Sequence, residues 1–413
     1  MGESYATDLQ DYAHRELAEE VAEIIDAVRR RGDSAVRELA ARAHSAVPGE
    51  FRLTPGQVRE SAGRVSAEAA ETLAGQLRRI RAVAQAQRDA LRDCETEVTD
   101  GWVHGVRHVP VGASATYLSG ALTEVDPRDL GRFQTGIVLA RHAGVPRVVA
   151  CVRPGEAAMQ SLFVTAADMA GADEIYLLDG VHAVAALALG TESVAAVDVI
   201  VGCGDALTAQ ASWQLFGDRG VNIAGRAGGL LVIADEAADP ARAADELLAA
   251  VLGDLDARAV LVATCSSLAQ RVESEIEARL RSVPRCGQAR SAWTRRGVIT
   301  VVADPHAACA LADRFAFGRV RIMTEGPRWY LDRMRRCGAV VLGGATSGSE
   351  SATAPVVPVS VRSCSPRQHR ALWIGHFLRA VGYSERVGDR PTGSTIDPMV
   401  FDELLPALAG PSR

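Results

Sequence analysis

Between Glu16 and Leu91 apolar residues recur every three to four positions. The segment ELAEEVAEIIDAVRRRGDSAVRELAARAH carries this spacing across a Gly32-Asp33 turn, and AEAAETLAGQLRRIRAVAQAQRDAL repeats it, so helices are expected over 15–98. Such helices are suited to padding a sheet or a subunit interface. From Val103 the period changes to short apolar runs: RVVACV, EIYLLDG, VDVIVG, LLVIAD, AVLVAT, GVITVVAD and AVVLGG, separated by stretches of helical pattern. Runs of this length, rich in Val and Ile, predict buried parallel strands joined by helical crossovers. The expected fold class is α/β, with two Rossmann-like parallel-sheet domains, an N-terminal helical segment and a short C-terminal tail. The boundaries read as 1–107 for the helical segment, 108–227 and 228–380 for the two α/β domains, and 381–413 for the tail. In the tail VGDRPTGSTIDP reads as a linker and FDELLPALAG as a short helix. No long-period repeat is visible along the chain.

Composition narrows the partners. With 413 residues, 48% of them hydrophobic, the chain can bury several cores. A formal net charge of −6 gives no reason to expect nucleic acid or an anionic membrane. No run approaches the roughly 18 to 20 apolar residues that span a bilayer, and Met1 to Glu19 is polar and acidic, so a cytoplasmic protein is expected. The eight cysteines stand singly with no CxxC pair, and most should be reduced and buried. All 45 residues counted as Lys+Arg are arginine. That removes Schiff-base, general-base and phosphate-binding lysines from the available chemistry.

The residues themselves offer one candidate ligand site. VIVGCGDAL is an apolar strand ending in Gly202-Cys203-Gly204 ahead of a helix, and ligands of parallel sheets gather at the carboxyl ends of strands. A GxG at a strand end is a tight turn about as often as a cradle, and no GxGxxG follows the first strand.

A resemblance gives this segment more meaning. GADEIYLLDGVHAVAALALGTESVAAVDVIVGCGDAL and FGDRGVNIAGRAGGLLVIADE resemble the histidinol dehydrogenase segments GVDEIYxxGGAQAIAALAxGTExxxxVDxIVGPGNxY and FGxxxIDMxAGPSEILVIAD. IIDAVRRRGDSAVRELAARAH is likewise similar to that family's VRxRGDxALxEYTxxFD. The resemblance implies two successive NAD-linked oxidations, alcohol to aldehyde to carboxylate, at a zinc site shared within a dimer whose subunits interlock through terminal segments. The altered tail after Tyr383 leaves a homodimer expected, without requiring the same exchange.

The polar residues depart from the family. Its NAD-contacting Asn, Gln and Tyr align with Asp205, His182 and His108, and its Pro in GPGN with Cys203. His108, His182 and Asp205 are therefore expected around one cleft as candidate catalytic residues, with Gly202, Cys203, Gly204, Asp205, His182 and His108 as candidate contacts of NAD or NADP. A histidine beside a carboxylate can act as general acid or base; the alternative for each is a structural hydrogen-bonding role. The zinc-binding Gln and His become Ala250 and Gly253, whose side chains have no lone pairs, and a third ligand falls near Glu350; no zinc is expected. The catalytic Glu-His pair of APEHLxI becomes Gly318-Arg319. Arg319 and Arg226, beside the glycines 228 and 229 that replace a substrate-facing Ser-Glu, are expected to line an enlarged pocket for a small, anionic substrate. Both arginines are equally suited to surface ion pairs. Three functions stay open: a zinc-independent NAD(P)-linked oxidoreductase on a small polar alcohol or aldehyde in specialised biosynthesis, a repurposed isomerase, cyclase or lyase, and a non-catalytic ligand- or partner-binding relative.

Overall fold

A computed structural model describes residues 2–43, 49–99, 101–118, 127–225, 229–253, 257–282, 286–343 and 372–387. The chain opens with helices α1 (Gly2–Arg31), α2 (Asp33–Ala43), α3 (Pro55–Gly63) and α4 (Ala67–Ala90). Gly32, at φ 54°, makes the turn between the first two. Glu192 accepts the Asp33 backbone N–H (2.7 Å), while Asp33 accepts that of Ser193 (3.4 Å). Through this exchange and the apolar stripe Val21, Ile25, Val28 and Val36, the helical pair pads the first sheet. The helical segment expected to reach 107 ends at Ala90. There the chain turns into β1 (Cys94–Thr99) and β2 (Trp102–Pro110), two antiparallel strands with Cys94 opposite Val106.

The first parallel sheet follows: β3 (Ala113–Leu118), α5 (Pro127–Ala143), β4 (Arg147–Val152), α6 (Ala157–Ala170), β5 (Glu174–Leu177), α7 (Gly180–Leu189), β6 (Val199–Gly204), α8 (Ala206–Leu215) and β7 (Gly220–Gly225). Its order is β5-β4-β3-β6-β7. The central strand ASATYL is buried throughout although only half of it is strongly apolar. Gly136 lets α5 press against it, because a Cβ there would stand 2.5 Å from the Thr116 hydroxyl.

The second sheet is built from β8 (Leu230–Ala234), α9 (Pro240–Gly253), β9 (Ala259–Ala263), α10 (Ser266–Ser282), α11 (Cys286–Arg296), β10 (Gly297–Val301), α12 (Pro305–Phe315), β11 (Arg319–Met323), α13 (Pro327–Leu331) and β12 (Ala339–Leu342). Its order is β10-β9-β8-β11-β12. Along β8, Leu230, Val232 and Ala234 enter one core and Leu231 and Ile233 another, so the sheet is covered on both faces. In each sheet the first strand lies in the middle, the next two extend to one side and the last two to the other. One topology, strand order 3-2-1-4-5, therefore occurs twice in a chain whose sequence gives no sign of a repeat.

After a single 3-10 turn (Ile374–Phe377) comes β13 (Leu378–Arg386). It joins β1 and β2 in a three-stranded sheet, order β1-β2-β13, so the boundary expected at 380/381 falls inside a strand. The Tyr383 ring lies over Gly105 and its hydroxyl donates to Glu95. Residue contacts divide the chain into a large unit, Met1–Ala90 with Pro110–Arg379, and a small one, Leu91–Val109 with Ala380–Arg413.

Candidate functional site

At the carboxyl end of the first sheet, the connections from β3 and β6 leave in opposite directions, the arrangement at which doubly wound sheets open a crevice. A small recess lies there, lined among others by Tyr117, Leu118, Arg132, Phe133, Gly202, Cys203 and Leu372. The two glycines of Gly202-Cys203-Gly204 serve the protein's own packing. A Cβ on Gly202 would lie 1.7 Å from the Tyr117 carbonyl oxygen, and one on Gly204 would lie 2.0 Å from the Thr208 hydroxyl. Only glycine lets β6 lie that close to β3 and lets Thr208 fold back to the start of α8. Cys203 between them is buried.

Asp205 is the N-cap of α8. Its carboxylate accepts the Thr208 N–H (2.9 Å) and the Thr208 hydroxyl (2.8 Å). An anion thus already sits on this helix N-terminus, where a phosphate would otherwise be favoured. His182 lies in the first turn of α7 and is 5% exposed. His182 and Asp205 therefore open two neighbouring helices of one sheet, the first buried and the second at the surface.

Beside them is a polar cluster that the sequence did not single out. Asp179 occupies the N-cap position of α7 yet makes no cap bond. Its Oδ1 accepts the Tyr117 hydroxyl (2.9 Å) and its Oδ2 pairs with Arg153 Nε (3.4 Å), while the Tyr117 oxygen accepts the Gly180 N–H (2.9 Å). The ends of β3, β4 and β5 are thereby tied together. The available signal was Asp179 standing where the family motif has the first glycine of GGAQ. Nearby, the Cys151 thiol donates to the Leu178 carbonyl (3.2 Å). Burial, and then the Asp179 charge, push that thiol upward and leave it a poor nucleophile.

His108 lies on β2, in the small unit. Asp93 accepts both its backbone N–H (2.8 Å) and its ring Nδ1 (3.1 Å). The backbone N–H first, and then the ring, hold the Asp93 carboxyl below the usual range. The half-buried imidazole and its carboxylate form an acid–base pair that the sequence reading missed.

The second sheet carries the remaining positions. Arg319 is the first residue of β11, level with Leu230 and Ala339 at the amino end of the sheet. Arg321, two residues on, is buried and pairs with Glu246 (3.3 Å). The enlargement expected at Gly229 is taken up by protein. A Cβ there would meet the Arg258 carbonyl oxygen and the Phe317 ring, both at 2.4 Å. Arg226, Gly228 and Glu350 lie outside the described residues. Ala250 is packed in the core under α9 and Gly253 ends that helix, so neither offers a donor where the resemblance would place zinc. Among the described residues no group of three or more His, Cys, Asp or Glu could hold a metal ion. Cys94 is exposed, Cys265 and Cys337 are half-buried, and Cys151, Cys203 and Cys309 are buried.

Known proteins share the sequence pattern and the fold. The family model for histidinol dehydrogenase matches residues 8–385. A histidinol dehydrogenase homolog of Shouchella clausii is 32% identical over 381 residues, covering 91% of this chain and 88% of the relative. Histidinol dehydrogenase homolog 1 of Mesorhizobium japonicum is 33% identical, covering 89% and 73%. The crystal structure of histidinol dehydrogenase from Elizabethkingia anophelis superposes with a TM-score of 0.81 at 21% identity, over 95% of this chain and 90% of that one, which supports the fold.

Proposed function

The chain belongs to the histidinol dehydrogenase family, and from that premise we propose that it is an NAD(P)-linked oxidoreductase acting on a small polar alcohol or aldehyde without a resident zinc ion, in specialised biosynthesis rather than histidine synthesis. The observation that carries this reading is the first sheet. It keeps the strand order of dinucleotide-binding folds, with a recess at the β3–β6 switch point and the Tyr117–Asp179–Arg153 cluster along the same edge. Tyr117, Gly202 and Cys203 would line the cofactor's side of that recess. Bound nicotinamide supplies the hydride acceptor.

The alcohol's proton needs a separate base, and His108 and His182 are the candidates. Asp93 holds His108 through Nδ1, so Nε2 is the atom that would take the proton, and the carboxylate would stabilise the resulting imidazolium. Arg319 would grip an anionic substrate group. Zinc fits poorly, because Ala250 and Gly253 carry no donor atoms. The assembly taken with this reading is a homodimer. A second reading, an acid–base isomerase, cyclase or lyase, is favoured by the His108–Asp93 pair, which needs no cofactor.

Calorimetric titration of the metal-analysed protein with NAD+ and NADP+ should give micromolar binding of at least one. No binding of either removes the redox reading and leaves the acid–base one. Chelation with EDTA should leave the melting temperature, and the turnover of any substrate found by alcohol and aldehyde screening, unchanged. A fall in either that zinc restores would overturn the metal-free assignment.

A further inference from the structure

The homodimer taken with the proposed function has no surface assigned to it, and two oppositely charged faces of the chain bear on where it lies. α12 ends in Arg314 and Phe315, and the turn between α13 and β12 carries Arg335 and Arg336. The Asp313 carboxylate accepts the backbone N–H groups of both turn arginines (2.9 and 2.8 Å), so the turn is fastened to the last residues of α12. Three exposed arginines and the exposed Phe315 ring (43%) thereby share one neighbourhood. Among the described residues none of these three arginines makes a side-chain ion pair.

The opposite charge stands on α1. That helix turns Val21, Ile25 and Val28 into the first core and leaves Glu16, Glu19, Glu20 and Glu23 exposed on its other side. Two of the spacings, Glu16 to Glu20 and Glu19 to Glu23, set like charges one helical turn apart, an arrangement that weakens a helix left on its own. The next acid along, Asp26, is paired with Arg30. The four glutamates have no ion pair among the described residues, so the two faces do not neutralise each other within one chain.

We propose that in a two-fold dimer the α1 glutamates of each copy dock on the Arg314, Arg335 and Arg336 face of the other. A two-fold axis makes this contact twice, once in each direction. Opposed charges steer the encounter and fix its register, and Phe315 among arginines has the composition of a protein interface. The surface rests on the homodimer and is independent of the redox chemistry.

Sedimentation equilibrium of the full chain tests it. Raising salt from about 0.05 M to about 0.5 M should weaken the dimer at least about tenfold, because exposed charges are screened over that range. Arg335→Glu with Arg336→Glu, and separately Glu19→Arg with Glu20→Arg, should each weaken it at least about tenfold at low salt, since each sets like charges against each other. All four changes together restore the attraction with its sign reversed and should bring the affinity back to within about threefold of the wild type. Circular dichroism melts check that the variants are folded; Arg335→Gln with Arg336→Gln, which adds no charge, should weaken the dimer in the same direction. A dimer indifferent to these changes, or a folded four-site variant that stays weak, overturns the surface and leaves the homodimer standing. A monomer at every concentration and salt overturns both, while the dinucleotide titration still decides the redox reading.

Discussion

Replacing Gly202 by alanine would put a methyl carbon 1.7 Å from the Tyr117 carbonyl oxygen, backbone against backbone, where no side chain can swing aside. The variant should lose about 3 kcal/mol or more of stability, measured by urea unfolding, or fail to accumulate as folded protein. Asp205 should behave as a cap. Asp205→Ala is expected to cost about 1 kcal/mol in the same measurement, and Asp205→Asn almost nothing, because asparagine caps equally well. The Gly-Cys-Gly turn was legible in the sequence as a strand end, but what demands each glycine was not. The demand comes from β3 and from Thr208, and a string of letters does not show which carbonyl will lie against which Cα. His108–Asp93 was hidden in the same way, since a pair fifteen positions apart across an antiparallel turn follows no helical or strand spacing.

At the scale of elements, the strands that read clearly were those whose apolar runs are nearly continuous: β4, β5, β6, β8, β9, β10 and β12. Those that escaped were β3, β7 and β11. ASATYL is too polar, GVNIAG too rich in glycine, and RVRIM too charged to resemble a buried strand, yet β3 and β11 each lie between two neighbours and β7 is held by β6 at the edge of its sheet. The three-stranded antiparallel sheet was missed altogether, because β13 lies far from β1 and β2 along the chain. Where β4 and β5 begin, Arg147 binds Glu174 through two nitrogens (3.2 and 3.0 Å), and the Tyr176 hydroxyl donates to the same carboxylate (3.0 Å). Burial works to raise the Glu174 carboxyl, but these donors outweigh it and hold it below its ordinary value of 4.5. Its contribution is therefore present above about pH 4.5 and lost as pH falls through the depressed native value. Melting temperature should drop over that acid range more steeply in the wild type than in Glu174→Gln.

For the molecule as a whole, the parallel sheets are buried on both faces, whereas β1 and most of β13 are exposed. Hydrogen exchange followed by mass spectrometry should show peptides from 94–109 exchanging well before those from 113–118 and 230–234. Comparable protection in all three would mean that the small sheet is covered in solution. The two-sheet architecture was legible because buried parallel strands and their crossovers leave a strong pattern, while the duplication of topology left none, since hydrophobic patterning constrains burial and not strand order. The ring of Phe317 stands in the space beside Gly229 and so sets what that position can hold. A glutamate placed at 229 alone, as the resembled motif has it, would collide with that ring and with the Arg258 carbonyl, so the position accepts one only if its surroundings change with it. Rebuilding that acid here would therefore mean redesigning Phe317 and the backbone at Arg258 together with position 229, not exchanging one residue.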